Sequence, residues 1–339
     1  MKALRYFGPG KVAVEEMPAP AIGPDELLVA ITACGICGTD VKTYLRGHPK
    51  IPPGAVLGHE MAGTVVASNS ARFAPGQRVV VAPYAPCLQC DTCRRSHFSL
   101  CDNLFAEYPD PGGFAELLRV PRRIVEQGVL ALPDQLDDVT ATLTEPLACC
   151  LHGLEAIDVQ AGQSLLIIGD GPMGLLHALL ARQLGAAPIL LSGMMPQRLA
   201  FARQVADHVI EGGSADLAAA VQAIAPAGVD KIMVAVADES IAAAVLPLVR
   251  KGGAINLFAG MAPQSTVTLP ARRIHYDEIA IKGTFGFWPR HFQHALELLA
   301  SGKLALDGFI TARVQLDEIE AALVAASHYE GIKAVMTTR

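Results

Sequence analysis

Charged side chains make up only 18% of this 339-residue chain, against 51% hydrophobic, a balance that excludes a disordered protein and supplies enough apolar surface for two domains with cores of their own. Positive charge is concentrated nowhere. Lysine and arginine form no cluster beyond short pairs such as Arg94-Arg95 and Arg272-Arg273, and the formal net charge is −6. Binding to nucleic acid needs a basic patch facing the phosphates, so no nucleic-acid partner is expected. No uninterrupted apolar run approaches the ~18 residues that would span a bilayer, which argues against a membrane protein. The opening MKALRYFGPG has no apolar segment behind Lys2, so no secretory leader is expected and the cytoplasm is the expected compartment. A small molecule is the expected partner.

Four of the eight cysteines are crowded into CLQCDTCRRSHFSLC, from Cys87 to Cys101. In a reducing compartment such a cluster is more often a metal site than a disulfide framework. Cys87, Cys90, Cys93 and Cys101 follow C-x2-C-x2-C-x7-C, in which two-residue gaps let neighbouring thiolates converge on one tetrahedral ion. Structural zinc is the expectation, with all four positions filled and none left for water. Four thiolates also suit an iron–sulfur cluster.

A different group lies upstream, in ACGICGTDVKTYLRGHPKIPPGAVLGHEMAG. Cys37, Asp40 and the adjacent His59-Glu60 offer thiolate, imidazole and carboxylate, a mixed shell suited to a zinc that keeps one position open. Glu145 adds a carboxylate directly before Pro146. Proline favours the first turn of a helix, so Glu145 is expected at a helix N-terminus, as a metal ligand or as a structural cap. Cys34, Cys149 and Cys150 read as small buried side chains.

From about residue 163 the pattern changes to apolar strands alternating with amphipathic helices. SLLIIGDGPMGLLHALLARQLGA predicts a strand, the turn Gly169-x-Gly171-x-x-Gly174 with Pro172 and Met173 inside it, and a helix. These glycines suit close approach to a pyrophosphate. Further units follow: strands APILLSG, HVI, DKIMVAV, AINLFAG and EIAIKGTF, with helices PQRLAFARQVA, DLAAAVQAIA and SIAAAVLPLVRKGG between. Six strands joined in this way predict a doubly wound parallel sheet that binds NAD or NADP. An acid is expected about 20 residues beyond the glycine motif, to accept hydrogen bonds from the adenosine ribose. Gly193 stands there instead, after Ser192, while Arg198 offers a charge to a phosphate. The apolar strand AINLFAG is a candidate for pairing across a subunit interface.

Taken together, CGICGTD, GHEMAG, the four-cysteine loop, TEPLACCLHG and GDGPMG resemble the zinc-dependent medium-chain dehydrogenase/reductase family, and most closely its polyol (sorbitol and iditol) and threonine dehydrogenase branch. The resemblance spans essentially the whole chain. It implies a GroES-like β-barrel catalytic domain over residues 1–150, a Rossmann domain inserted over 151–286, and a return to the catalytic domain over 287–339. It implies two zinc ions per chain. Cys37, His59 and Glu60 would bind the catalytic one, with Glu145 as a fourth ligand or as the residue that holds a zinc-bound water. Asp40 would orient His59, and Thr39 would pass on the proton of the alcohol, with His48 as a further relay. The implied activity is hydride transfer between a secondary hydroxyl of a polyol, sugar or cyclitol and NAD(P), in a homodimer or homotetramer. A threonine-type amino-alcohol or sugar-phosphate substrate is the alternative. The presence of Cys37, His59 and the glycine motif counts against a non-catalytic nucleotide-binding protein. Gly193 departs from the NAD-specific members, which carry an acid there. Phe285, Phe287 and Trp288, near the return, offer either substrate contact or packing.

Overall fold

In the computed structural model, which describes residues 1–212 and 214–338, the chain forms two compact units, Met1–Ala148 with Phe287–Arg339, and Cys149–Gly286. The first contains β1 (Lys2–Gly8), β2 (Lys11–Glu16), β3 (Leu27–Gly35), β4 (Glu60–Ser68), β5 (Arg78–Val81), β6 (Leu117–Val120) and β7 (Val129–Ala131). The second contributes β8 (Leu165–Ile168), β9 (Ile189–Gly193), β10 (His208–Glu211), β11 (Val229–Val234), β12 (Val249–Leu257) and β13 (Ala280–Gly283). The chain then returns to the first unit with β14 (Ile310–Val314) and β15 (Lys333–Thr337).

Strand β3 organises the first unit. Leu27, Val29, Ile31 and Ala33 are buried and alternate with half-buried neighbours, the period of a strand with one face on a core. Along one edge it pairs with β4, and along the other with β6 at its start and β15 at its end, all antiparallel. The strand order is β14-β15-β3-β4-β5-β7, with β6 on β3. Strand β3 is therefore partnered on both edges, one of them completed by the C-terminal return. Register places Gly35 opposite Glu60 on β4 and opposite Val335 on β15, so the end of β3 meets the start of β4 and the start of β15.

In the second unit all six strands run parallel in the order β10-β9-β8-β11-β12-β13. This is the doubly wound arrangement, and its order reverses between β8 and β11, where such sheets bind ligands beyond their carboxyl ends. Two local expectations fail here. The helix read through SIAAAVLPLVRKGG ends at Ala244, and β12 already begins at Val249. Pro247 lacks the N–H that a continuing helix needs, and only a short 3-10 turn, Leu246–Leu248, separates the two. Of AINLFAG, Ala254–Leu257 lie in β12 between β11 and β13, so both edges of that strand part are filled and not open to pairing across a subunit interface. Among the described residues no helix is long and apolar enough to cross a membrane.

The second unit also buries a histidine. His177 is fully enclosed on the helix Pro172–Gln183. Its Nδ1 donates to the Met173 carbonyl (2.7 Å), which makes Nε2 the lone-pair nitrogen. Nε2 has no hydrogen-bond partner, and the ring meets Phe258 edge to face at 4.5 Å. Burial outweighs the carbonyl bond and lowers the pKa to about 4. The unfolded value is near 6.5, so the folded state takes up this proton less readily. The contribution is fully present above pH ~6.5 and is lost as pH falls towards 4. Between pH 7 and 5 the loss should be about 2 kcal/mol. Urea unfolding of the wild type and of His177→Leu at both pH values tests this: the acid-induced loss should be smaller in the variant by that amount, and an equal loss would refute it.

Candidate metal and dinucleotide sites

The end of β3, the start of β4 and the start of β15 bring three candidate ligands together. Cys37 caps the helix Gly38–Arg46, which follows β3, while His59 precedes β4 and Glu60 opens it. The Cys37 sulfur, a His59 nitrogen and a Glu60 oxygen lie within 4.8 Å of one another. Asp40 fixes this geometry. Its carboxylate accepts from the backbone N–H of Cys37 (2.9 Å) and of Gly58 (3.2 Å), and Oδ1 faces His59 Nδ1 at 3.6 Å. With Nδ1 turned to Asp40, Nε2 is the nitrogen left for a metal. Burial opposes ionisation of Asp40, but the neighbouring His59 and the two N–H donors prevail and hold the carboxyl below its usual range.

Glu60 is 1% exposed, and its Oε1 has no hydrogen-bond partner. Lys333, also buried, sets its ammonium against Oε2 as an ion pair and donates to the Ile36 carbonyl (3.0 Å). Burial alone would lower the Lys333 pKa; the charges of Glu60, Cys37 and Glu145 raise it instead. Glu145 is buried in the first turn of the helix Thr144–Ala156, close enough to act on Lys333 but outside the three-residue cluster. Cys37, Glu60 and Glu145 thus act on one buried ammonium, and the buried Oε1 of Glu60, without a donor, is costly unless a further cation joins it. The donor set of sulfur, nitrogen and oxygen fits zinc. Thr39 is exposed on the first turn of its helix, and His48 is exposed in the following loop, its Nδ1 accepting from the Lys50 N–H (3.2 Å).

Two contributors to this cluster have no signature in local sequence. Lys333 is visible only as a charge inside the apolar run IKAVM. Gly35 is needed because a Cβ there would sit 1.8 Å from Glu60 Oε2. The carboxylate occupies that space.

The second candidate centre is the loop Cys87–Cys101. Its four sulfurs also lie within 4.8 Å of one another, and all are free thiols. Cys90 and Cys101 sulfurs are 3.9 Å apart, far beyond the ~2.05 Å of a disulfide. Backbone N–H groups turn towards them: Cys87 N–H to the Cys101 sulfur (3.2 Å), Cys90 N–H to that of Cys87 (3.4 Å), Cys93 N–H to that of Cys90 (3.4 Å) and Asn103 N–H to that of Cys101 (3.3 Å). Such donors favour thiolates. They hold the Cys87 thiol down at about 6, Gln89 contributing most, whereas burial pushes the Cys93 thiol up to about 12. Four thiolates this close need a cation between them.

The glycine motif lies at the carboxyl end of β8. Gly174 packs so tightly that a Cβ would approach the Gly169 carbonyl to 1.9 Å, while a Cβ on Gly171 would meet nothing within 4 Å. Space therefore remains open at the start of the helix Pro172–Gln183, with Pro172 and Met173 in its first turn. Open space at a helix N-terminus fits a pyrophosphate. Ser192 and Gly193 end β9, and Arg198 is buried on the next helix, Pro196–Val205. Phe287 is packing: it is buried and stacks on Tyr84 (4.8 Å) and Phe292 (5.4 Å) within the first unit.

Two family models match this chain, the alcohol dehydrogenase GroES-like domain over residues 23–134 and the zinc-binding dehydrogenase over residues 172–301. Among curated proteins it is 32% identical to D-arabinitol dehydrogenase 1 of Uromyces fabae, over 95% of this chain and 93% of that one. It is 29% identical to sorbitol dehydrogenase of Bacillus subtilis, over 97% and 94%. Among solved structures it superposes with a TM-score of 0.89 on a Sinorhizobium meliloti protein described as a zinc-binding dehydrogenase and bound to NADP. That protein is 32% identical, and the match covers 99% of this chain and 98% of the other.

Proposed function

The chain belongs to the zinc-dependent medium-chain dehydrogenase/reductase family, and from that premise we propose that it oxidises a secondary hydroxyl of a polyol, sugar or cyclitol to the ketone, passing hydride to NAD or NADP and releasing a proton. Enzymatic dehydrogenase chemistry dependent on zinc and a nicotinamide dinucleotide comes with the family. The observation that carries the site assignment is the convergence of Cys37, His59 and Glu60, whose Oε1 is buried without a donor. Names of the arabinitol and sorbitol dehydrogenases support the polyol class.

On this reading Cys37, His59 and Glu60 hold the catalytic zinc, with Glu145 as a fourth ligand or holding a water, and Cys87, Cys90, Cys93 and Cys101 hold a structural one. Zinc supplies Lewis acidity that lowers the pKa of a coordinated hydroxyl. Asp40 keeps His59 in one orientation and tautomer. Lys333 holds Glu60 in place and offsets part of the negative charge, so the metal's own charge is not fully quenched by its ligands. Thr39, exposed two residues after Cys37, hands the alcohol's proton to solvent. Residues 1–150 and 287–339 form the catalytic domain, residues 151–286 hold the dinucleotide, and the protein works as a homodimer or homotetramer.

Initial rates of nicotinamide reduction across polyols, cyclitols, threonine and sugar phosphates, on protein of known zinc content, test the substrate class. Turnover of a polyol or cyclitol with the best kcat/KM of the panel is expected. Preference for threonine or a sugar phosphate would replace the polyol reading. Silence across the panel from zinc-loaded protein would reject it.

A further inference from the structure

We propose that Asp170, reaching across from the glycine-rich turn, supplies the acid that β9 lacks and makes the protein select NAD over NADP; this rests on the dinucleotide reading above. The end of β9 is where a doubly wound fold meets the adenosine ribose, and Gly193 there carries no side chain. Asp170 lies between Gly169 and Gly171 at the end of the neighbouring strand. There Ile168 pairs with Ser192, and the Gly169 N–H donates to the Ser192 carbonyl (2.8 Å). The Asp170 side chain crosses to β9. Its Oδ2 accepts from the N–H of Met194 (2.8 Å) and of Met195 (2.6 Å), the two residues that follow Gly193.

Steric exclusion makes the exchange explicit. A Cβ on Gly193 would lie 2.4 Å from Asp170 Cβ, 2.6 Å from Cγ and 2.7 Å from Oδ2. The volume that an aspartate or glutamate at position 193 would enter is already filled by the Asp170 carboxylate. An acid can come from either strand end, but not from both. Glycine at position 193 therefore marks a relocated charge, not a lost one.

Asp170 is 8% exposed, and both of its backbone donors fall on Oδ2, leaving Oδ1 to accept from a ribose hydroxyl. The same oxygen opposes the 2′-phosphate of NADP, and in a poorly solvated place like charges repel strongly. Arg198, on the helix that follows β9, is 6% exposed and has little surface to offer a phosphate.

Isothermal titration of zinc-loaded protein with NAD and with NADP, no alcohol present, separates this assignment from the substrate reading. Wild type should bind NAD at least about thirtyfold more tightly than NADP. Asp170→Asn keeps the side-chain shape and an oxygen for the Met194 and Met195 N–H groups, and should bring that ratio below about threefold. The double variant D170G/G193D, which removes the Asp170 side chain, its Cβ included, and moves the acid to the end of β9, should restore NAD preference. Competition by ADP against 2′,5′-ADP should follow the same order in each protein. The assignment is overturned if wild type binds NADP as tightly as NAD, or if the ratio survives in Asp170→Asn. Failure to bind either dinucleotide would overturn the dinucleotide reading and this assignment with it, whatever the substrate panel gives.

Discussion

Replacing Cys37 with serine is expected to lower kcat/KM for the alcohol on the order of 10^4-fold and to remove one of two zinc ions per chain. A hydroxyl is a much weaker zinc ligand than a thiolate, and the remaining pair, His59 and Glu60, cannot compensate, because Glu60 already faces the Lys333 ammonium. Without the metal, the hydroxyl to be oxidised keeps the high pKa of a free alcohol and no alkoxide forms near neutral pH. The fold should survive. Cys37 is half-buried at a helix N-cap, and the bond that fixes the helix start runs from its backbone N–H to Asp40. Elemental analysis should give one zinc per chain, with the thermal midpoint within a few degrees of wild type. Retention of two zinc ions, or activity within tenfold of wild type, would show that the metal is held elsewhere.

The four-cysteine loop should behave in the opposite way, with stability as the main loss. Cys93 is 4% exposed and its sulfur faces the other three. Cys93→Ser should release the second zinc and unfold residues 87–101, since a short loop ordered by N–H to sulfur contacts has little apolar burial to replace the ion. Structural zinc in small domains is worth ~10–16 kcal/mol. Even a third of that lowers the midpoint of a chain this size by roughly 5 °C or more. Trypsin gives a local readout, because Arg94 and Arg95 sit within the loop. The variant should be cut there quickly and the wild type slowly. If Cys93→Ser keeps its midpoint and its resistance to trypsin, the loop is not a structural metal site. Iron in place of zinc, with visible absorbance, would restore the iron–sulfur alternative.

The parts legible in sequence are those whose partners stand close along the chain. Adjacent His59-Glu60 and regularly spaced cysteines identify themselves because ligand geometry is set by a few intervening residues. The parallel sheet is legible through strand and helix alternation, whereas the order of its six strands comes only from the fold. Lys333 was not legible, because its meaning depends on β15 pairing with β3 and thereby placing an amine against Glu60. Gly35 needed the Gly35 to Glu60 register. Asp170 stood in plain view within GDGPMG, but its bearing on Gly193 requires β8 and β9 to lie side by side. The helix read past Ala244 failed for another reason: apolar periodicity continued through Pro247, while the backbone could not.

The closure of β3 by β15 has a consequence for biosynthesis. Ile36 and the Lys333 amine that binds its carbonyl are 297 residues apart in the chain. At ~5–20 residues per second, a ribosome releases β3 and β4 tens of seconds before β15 exists. Cys149–Gly286 is continuous and has every strand of its sheet within that interval. The dinucleotide unit can therefore form while the other still has an unpaired strand edge and an uncompensated Glu60. The surroundings of the Cys37, His59 and Glu60 cluster are completed only when β15 arrives, and the nascent chain spends that interval in need of protection from edge-to-edge association.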